Sequence, residues 1–194
     1  MSQYCDGKLL VAPPKMRDHR FEKTVVYIWK HDISGASGII INKPLPSLPL
    51  SKLCRETGIE LGEGIQETIY YGGPVMENCV GCLHTNDIIM KSSNLCTNGD
   101  LLFTLDRYVI ERIAKGRGPK KFLITMGMAQ WGPLQLETEL EALPPRKKTE
   151  SWLVLDYDPN LIWSGQNPNF WNSCLNLAVN QSSREFTNNF FKQN

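Results

Sequence analysis

Cys79-Val80-Gly81-Cys82, with His84 two residues further on, has the spacing of a redox dithiol or of half a zinc site. Redox pairs of this spacing work from a helix N-terminus, where the dipole favours the thiolate. This pair instead lies in a run that reads as a strand, which turns the two sulfurs to opposite faces and leaves only Cys82 and His84 together. A structural zinc needs four converging ligands, and no second pair with matching spacing exists. Cys79 and Cys82 therefore read first as packed free thiols and second as reactive-thiol candidates; no metal and no cofactor are expected. Five side chains have types suited to a site. His31 and His84 could act as acid, base or ligand, or fix a strand end by bonding backbone. The amide of Asn42, just before Lys43-Pro44, is suited to satisfying backbone groups where a strand stops. Trp131 and Gln135 could line a pocket, although a loop tryptophan commonly anchors its loop to the core.

No assembled catalytic motif accompanies these residues. The chain lacks a Gly-x-Ser-x-Gly elbow, a phosphate-binding Gly-x-x-x-x-Gly-Lys-Ser/Thr loop, a His-Glu-x-x-His pair and a dinucleotide fingerprint. The 194 residues are enough for one domain with a real core, and 41% apolar with 21% charged residues is ordinary for a globular chain. A net charge of +1 gives no reason to expect a polyanionic partner. The basic stretches Gly116–Lys121 and Arg146–Lys148 are short, and no helix pair reads as a helix-turn-helix, which speaks against nucleic acid. No apolar run approaches the ~20 residues that span a bilayer, and the N-terminus lacks the pattern of a signal peptide. A cytoplasmic protein without a membrane partner is expected. Most of the six scattered cysteines in such a compartment should be free thiols.

The elements that must position these side chains start with strands. Lys8–Ala12 is an apolar run stopped by Pro13-Pro14, and Thr24–Lys30 is β-branched and aromatic throughout. His31–Gly35 turns into Gly38–Asn42, whose Ile39-Ile40-Ile41 run reads as a strand buried on both faces and paired antiparallel with its predecessor. Met16 and Phe21 are the apolar residues able to pin the polar loop between the first two strands. Pro49 is suited to the first position of a helix in which Leu50, Leu53 and Cys54 give helical spacing up to a stop at Gly58. Ile69–Tyr71, Cys79–Thr85, Ile88–Lys91 and Phe122–Met126 are further strand candidates, with Gly127 opening a loop to Trp131. Leu102, Leu105, Val109 and Ile113 recur at helical steps, predicting a helix from Thr97–Asp100 to a stop at Gly116. Pro133–Leu143 is predicted helical, with Leu136, Leu140 and Leu143 inward and Glu137, Glu139 and Glu141 solvated. Trp152–Leu155 reads as a buried strand, and a helix is expected over Asn169–Val179. The expected organisation is one domain over 1–180 and a loosely ordered polar tail over 181–194.

Three blocks resemble the YqgE/AlgH family, a group of bacterial proteins of unsettled biochemical role. They are Leu9–Pro13 with Met16, Phe21, Thr24–Tyr27 and the His31–Pro44 stretch; Gly72-Gly73-Pro74-Val75 with Leu83-His84; and Gly127, Ala129, Trp131, Gln135-Leu136-Glu137, Glu139 and Trp152-Leu153. The match runs in order from about Lys8 to Val179. It implies an α+β fold: a single compact domain whose bifurcated, mostly antiparallel sheet folds into a pseudo-barrel with flanking helices. It also turns His31 and Asn42 from turn residues into members of a candidate pocket with His84, Trp131 and Gln135. The chain is a divergent member. Where the family pattern has Asp-Arg-Gly-Phe-Val-Leu-His, this chain has Asn78-Cys79-Val80-Gly81-Cys82-Leu83-His84, so the arginine is missing. Met128 stands where the pattern has a tyrosine.

The leading functional expectation is a non-enzymatic domain that binds a small molecule or a protein in regulation. An enzyme with a polar site of His31, Asn42 and His84 at strand ends is the alternative. A transcriptional regulator touching nucleic acid is the weaker one. The residues specify neither ligand nor oligomeric state.

Overall fold

The computed structural model describes residues 4–91, 94–96, 99–141 and 148–192. The chain opens with β1 (Leu9–Val11), β2 (Val25–Asp32) and β3 (Gly35–Ile40), then α1 (Leu50–Thr57), β4 (Ile69–Tyr71) and β5 (Val75–Thr85). It continues through β6 (Asn94–Leu95), β7 (Leu101–Thr104), α2 (Arg107–Ala114), β8 (Phe122–Trp131) and α3 (Gln135–Glu141). β9 (Leu153–Leu155), α4 (Pro159–Ile162) and α5 (Phe170–Lys192) complete it. The described strands form one sheet in the order β6-β7-β5-β8-β3-β2-β1-β9, with β4 paired to β8 off that path. Every ladder is antiparallel except β4 on β8. Among the described residues no ladder joins β6 to β9, so the sheet is open, a mixed α+β architecture in one domain.

The sheet forks at β8. Residues Ile124–Met126 pair in parallel with β4, whereas Ala129–Trp131 pair with β3. β4 fills the gap where the chain leaving β3 diverges: its Tyr71 N–H donates to the Lys43 carbonyl, and its Ile69 carbonyl accepts from the Leu45 N–H. The fork brings backbones so close that a Cβ on Gly72 would lie 2.2 Å from the Gly127 oxygen, and one on Gly73 2.3 Å from the Met128 carbonyl carbon. Gly127 itself has φ +72°, a left-handed conformation inside a continuing strand. The Gly72-Gly73-Pro74 stretch and Gly127 are therefore the two sides of one junction.

The Ile39–Ile41 run is buried on both faces, as its lack of polar alternation anticipates. Ile39 and Ile41 join the cluster of Tyr27, Leu83 and Phe103, while Ile40 joins Val26, Ile28, Trp131 and Trp152 on the other side. Each such side chain contributes roughly 1.5–3 kcal/mol of burial. A third cluster lies under α1 and α2, where Leu50, Leu53, Val109, Ile110 and Ile113 cover Cys82 and Ile124. No described helix is long and apolar enough to cross a membrane.

Several expectations are corrected. Residues 97 and 98 lie outside the described residues, and Leu101–Thr104, expected to be helical, is β7, buried throughout and paired with β5. The helix starts only after Asp106, whose carboxylate accepts from the Tyr108 N–H at 2.9 Å. The helical spacing of Leu102 and Leu105 with Val109 is thus coincidental. Ile88–Lys91 forms no strand. Gly127 does not end its strand, which runs on to Trp131. α3 starts at Gln135 rather than Pro133, and Leu143 lies outside the described residues. α5 continues to Lys192, so residues 181–192 have helical backbone.

Candidate functional site

Trp131 closes β8 opposite Ala36 on β3. Gly35 presses against it: a Cβ there would meet the Trp131 oxygen at 2.2 Å, and its φ is +118°. The chain then turns through Gly132-Pro133-Leu134 into α3. Gln135 Oε1 accepts the Gly132 N–H at 3.0 Å, tying the helix start to the strand end. One turn later, Glu139 Oε2 accepts both the Trp131 indole N–H at 3.2 Å and the Trp152 indole N–H at 2.9 Å. Its Oε1 accepts from Gln135 Nε2 at 3.2 Å. Gln135 and Glu139 meet because residues four apart share a helix face.

The two indoles stand edge to face with ring centres 6.2 Å apart, and Phe21 packs 5.5 Å from Trp152 and 6.3 Å from Trp131. Phe21 and Met16 pin the loop between β1 and β2 against this cluster. Around the aromatic floor lies a cavity of about 390 Å³. Its rim carries two ion pairs: Arg17 bonds both oxygens of Glu150 at 2.9 and 3.1 Å, and Arg20 grips Asp18 at 2.7–3.1 Å. The Arg20 guanidinium holds the Asp18 carboxyl below its ordinary range. The site thus offers flat apolar surface flanked by fixed, mutually compensated charge.

Of the predicted site residues, only Trp131 and Gln135 line this cavity. His31 is buried on β2: its Nδ1 accepts the Cys5 N–H at 2.9 Å, and its Nε2 lies 3.2 Å from Glu137 Oε1. An Nδ1 that accepts leaves the proton of a neutral ring on Nε2, facing the carboxylate. Asn42 sits at the far end of the same hairpin. Its Oδ1 accepts from the Val25 N–H at 2.8 Å, and its Nδ2 donates to the Lys23 carbonyl at 2.9 Å. Val25 and His31 are six strand residues apart, roughly 20 Å. His84 is fully buried on β5, bonded through Nδ1 to the Thr85 carbonyl at 2.8 Å. Burial pushes its pKa below the ordinary 6.5. His31, Asn42 and His84 therefore serve three separate backbone environments.

The thiols also separate. Cys82 is fully buried and its pKa is pushed up by desolvation, whereas Cys79 is half-buried; all six cysteines are free. Among the described residues no three His, Cys, Asp or Glu side chains converge as metal ligands. From the sequence, Glu139, Glu137, Trp152 and Phe21 are legible only through the family resemblance or as packing residues, not as site residues. Glu137 and Glu139 looked solvated because α3 alternates glutamate with leucine, yet Glu137 is buried against His31 and Glu139 holds the two indoles. The four-residue spacing of Gln135 and Glu139 was the one local signal. Of the basic stretches, 116–121 is tied down through Arg112 to the Arg117 carbonyl and through the Lys120 N–H to Asp87; Arg146 and Lys147 lie outside the described residues.

The comparisons agree with this architecture. The family described as DUF179, AlgH-like, matches residues 9–182. A UPF0301 protein of Paracoccus denitrificans is 32% identical over 172 residues, covering 87% of each chain. One of Thiobacillus denitrificans is 37% identical over 155 residues, covering 79% of each. The solution structure of the AlgH protein from Pseudomonas aeruginosa matches with a TM-score of 0.74 at 30% identity, over 92% of this chain and 90% of that one. The crystal structure of protein DIP2367 from Corynebacterium diphtheriae shares the fold, with a TM-score of 0.63 at 18% identity over 87% and 84% of the two chains. From the glycine-lined fork to the Trp131–Glu139 corner, the chain belongs to the AlgH-like family.

Proposed function

We propose that this protein is a non-enzymatic binding domain with a regulatory output, and that its ligand occupies the cavity over Phe21, Trp131 and Trp152. The carrying observation is the way Glu139 is used. A carboxylate that accepts from two indoles and from Gln135 is committed to holding aromatic walls in place, which is a recognition architecture. The ligand class that fits is a small molecule with a flat apolar body and a polar edge, the body against the rings and the edge towards Arg17–Glu150 and Arg20–Asp18. An enzyme built on His31, Asn42 and His84 is disfavoured because each has a separate hydrogen-bonding task. The compensated charges of the rim likewise give polyanions little purchase.

The test is a thermal-shift screen of flat heteroaromatic compounds, since a ligand that binds only the folded state raises the melting temperature. Hits should lose their effect in Gln135→Ala, which changes the cavity wall without touching the core. Hits that keep their full effect in that variant, or that the protein converts to product, contradict the proposal.

A further inference from the structure

A second cavity, of about 290 Å³, opens between α1, the start of α2 and the irregular part of β5. It exists because β5 loses register with β8 between Val75 and Val80, where Met76 takes φ +53°. Its inner wall is Leu53, Ile59, Val80 and Ile110, all part of the cluster beneath the helices. No aromatic residue among the described residues lines it, in contrast to the site over Trp131. At its mouth Met76 and Leu105 are 46% and 44% exposed, an apolar rim of flexible side chains. Among the described residues the one charged residue of its lining is Arg107. Arg107 is ion-paired through Nε with Glu111 Oε1, and its Nη2 donates to the Thr57 carbonyl, both at 2.9 Å. Those contacts use two of the five guanidinium donors, so it is the unused N–H groups rather than an unpaired charge that remain for a single carboxylate.

We propose that this cavity is a binding site for a single-chain aliphatic carboxylate, a medium-chain fatty acid. The hydrocarbon chain lies along Leu53, Val80 and Ile110, and the carboxylate meets the open face of Arg107. The volume suits this occupant: it holds roughly eight to ten groups of the size of a water or a methylene. Aliphatic walls with one cation at the rim select a chain with one anionic end over a flat ring system. The site is separate from the aromatic cavity and stands whether or not that cavity binds its own ligand.

Cys79 supplies a built-in reporter. It lines this cavity and is half-buried, whereas the other five cysteines are buried. The experiment follows alkylation of Cys79 by iodoacetamide in the full-length protein, with hexanoate, octanoate and decanoate added below their micelle concentrations and decanol below its solubility limit. Saturable protection is expected, with the midpoint falling about fourfold per added methylene. Arg107→Gln should weaken protection by decanoate about tenfold or more and leave decanol unchanged. A urea midpoint for the variant confirms that it is folded. Absence of protection by decanoate overturns the proposal, and so does protection without chain-length dependence. Equal protection by decanol and decanoate, indifferent to Arg107→Gln, overturns it as well, and would mark the surface as one for an uncharged apolar partner.

Discussion

Glu137 Oε1 lies 3.2 Å from Nε2 of His31, whose side chain is completely buried. The contact joins α3 to the β2–β3 hairpin, and Cys5 joins the N-terminal segment to the same ring through its N–H. Two residues further along α3, Glu139 holds Trp131 and Trp152. A single short helix thus fixes the hairpin with one carboxylate and the aromatic site with another.

Removing one partner from the buried pair should be costly because it strands the other. His31→Ala is expected to lower stability by about 3 kcal/mol. In a double-mutant cycle with Glu137→Gln, the combined loss should be smaller than the sum. Urea unfolding at constant m-value measures both.

The hairpin itself was readable from the sequence. Thr24–Lys30 and Ile39–Ile41 have no rival to strand, and the turn between them is short. Asn42 was legible for the same reason, since an amide before Lys-Pro has few other tasks than bonding backbone. The site was half legible. Trp131 and Gln135 are legible by residue type, whereas Glu139 is not, because only the tertiary meeting of Trp131 with Trp152, 6.2 Å apart, makes it a partner for two indoles. His31 and Glu137 are remote in sequence, and nothing local in either one announces the other. β7 differs from its helical expectation for a similar reason: Leu102 and Leu105 match a helical period by chance, and the pairing of Leu101–Thr104 with β5 decides otherwise.

His84 should give stability a pH dependence of definite sign. Its folded pKa lies below 6.5 because burial disfavours the charged ring, so the unfolded chain takes up the proton first as pH falls. Stability is full above about 6.5, declines as pH drops below that, and levels off once the folded imidazole protonates. Urea midpoints between pH 7.5 and 5 should show this decline in the wild type. His84→Leu should show less of it.

Glycine positions separate conformational strain from collision. Gly58→Ala places a side chain at φ +69° with nothing within 4 Å, and should cost about 1 kcal/mol. Gly35→Ala drives a Cβ into the Trp131 carbonyl. It should cost several times as much in urea unfolding and shift the tryptophan emission, because the end of β8 must move.

The thiols should fall into two classes. Burial pushes Cys5 and Cys96 up to about 11 and Cys174 up to about 12, and raises Cys54 and Cys82 as well. A native thiol titration near pH 8 should therefore count one accessible group, Cys79, and full denaturation should count six.

The aromatic cavity is the centre of the account, and the indole N–H region of a ¹⁵N–¹H spectrum addresses it directly. The chain has five tryptophans, of which Trp131 and Trp152 donate to Glu139 and Trp171 donates to the Ala12 carbonyl. A ligand found by thermal shift should displace the Trp131 and Trp152 signals in a saturable manner and leave that of Trp171 in place. A stabilising ligand that leaves both Glu139-bound indoles unmoved would contradict the assignment of the site.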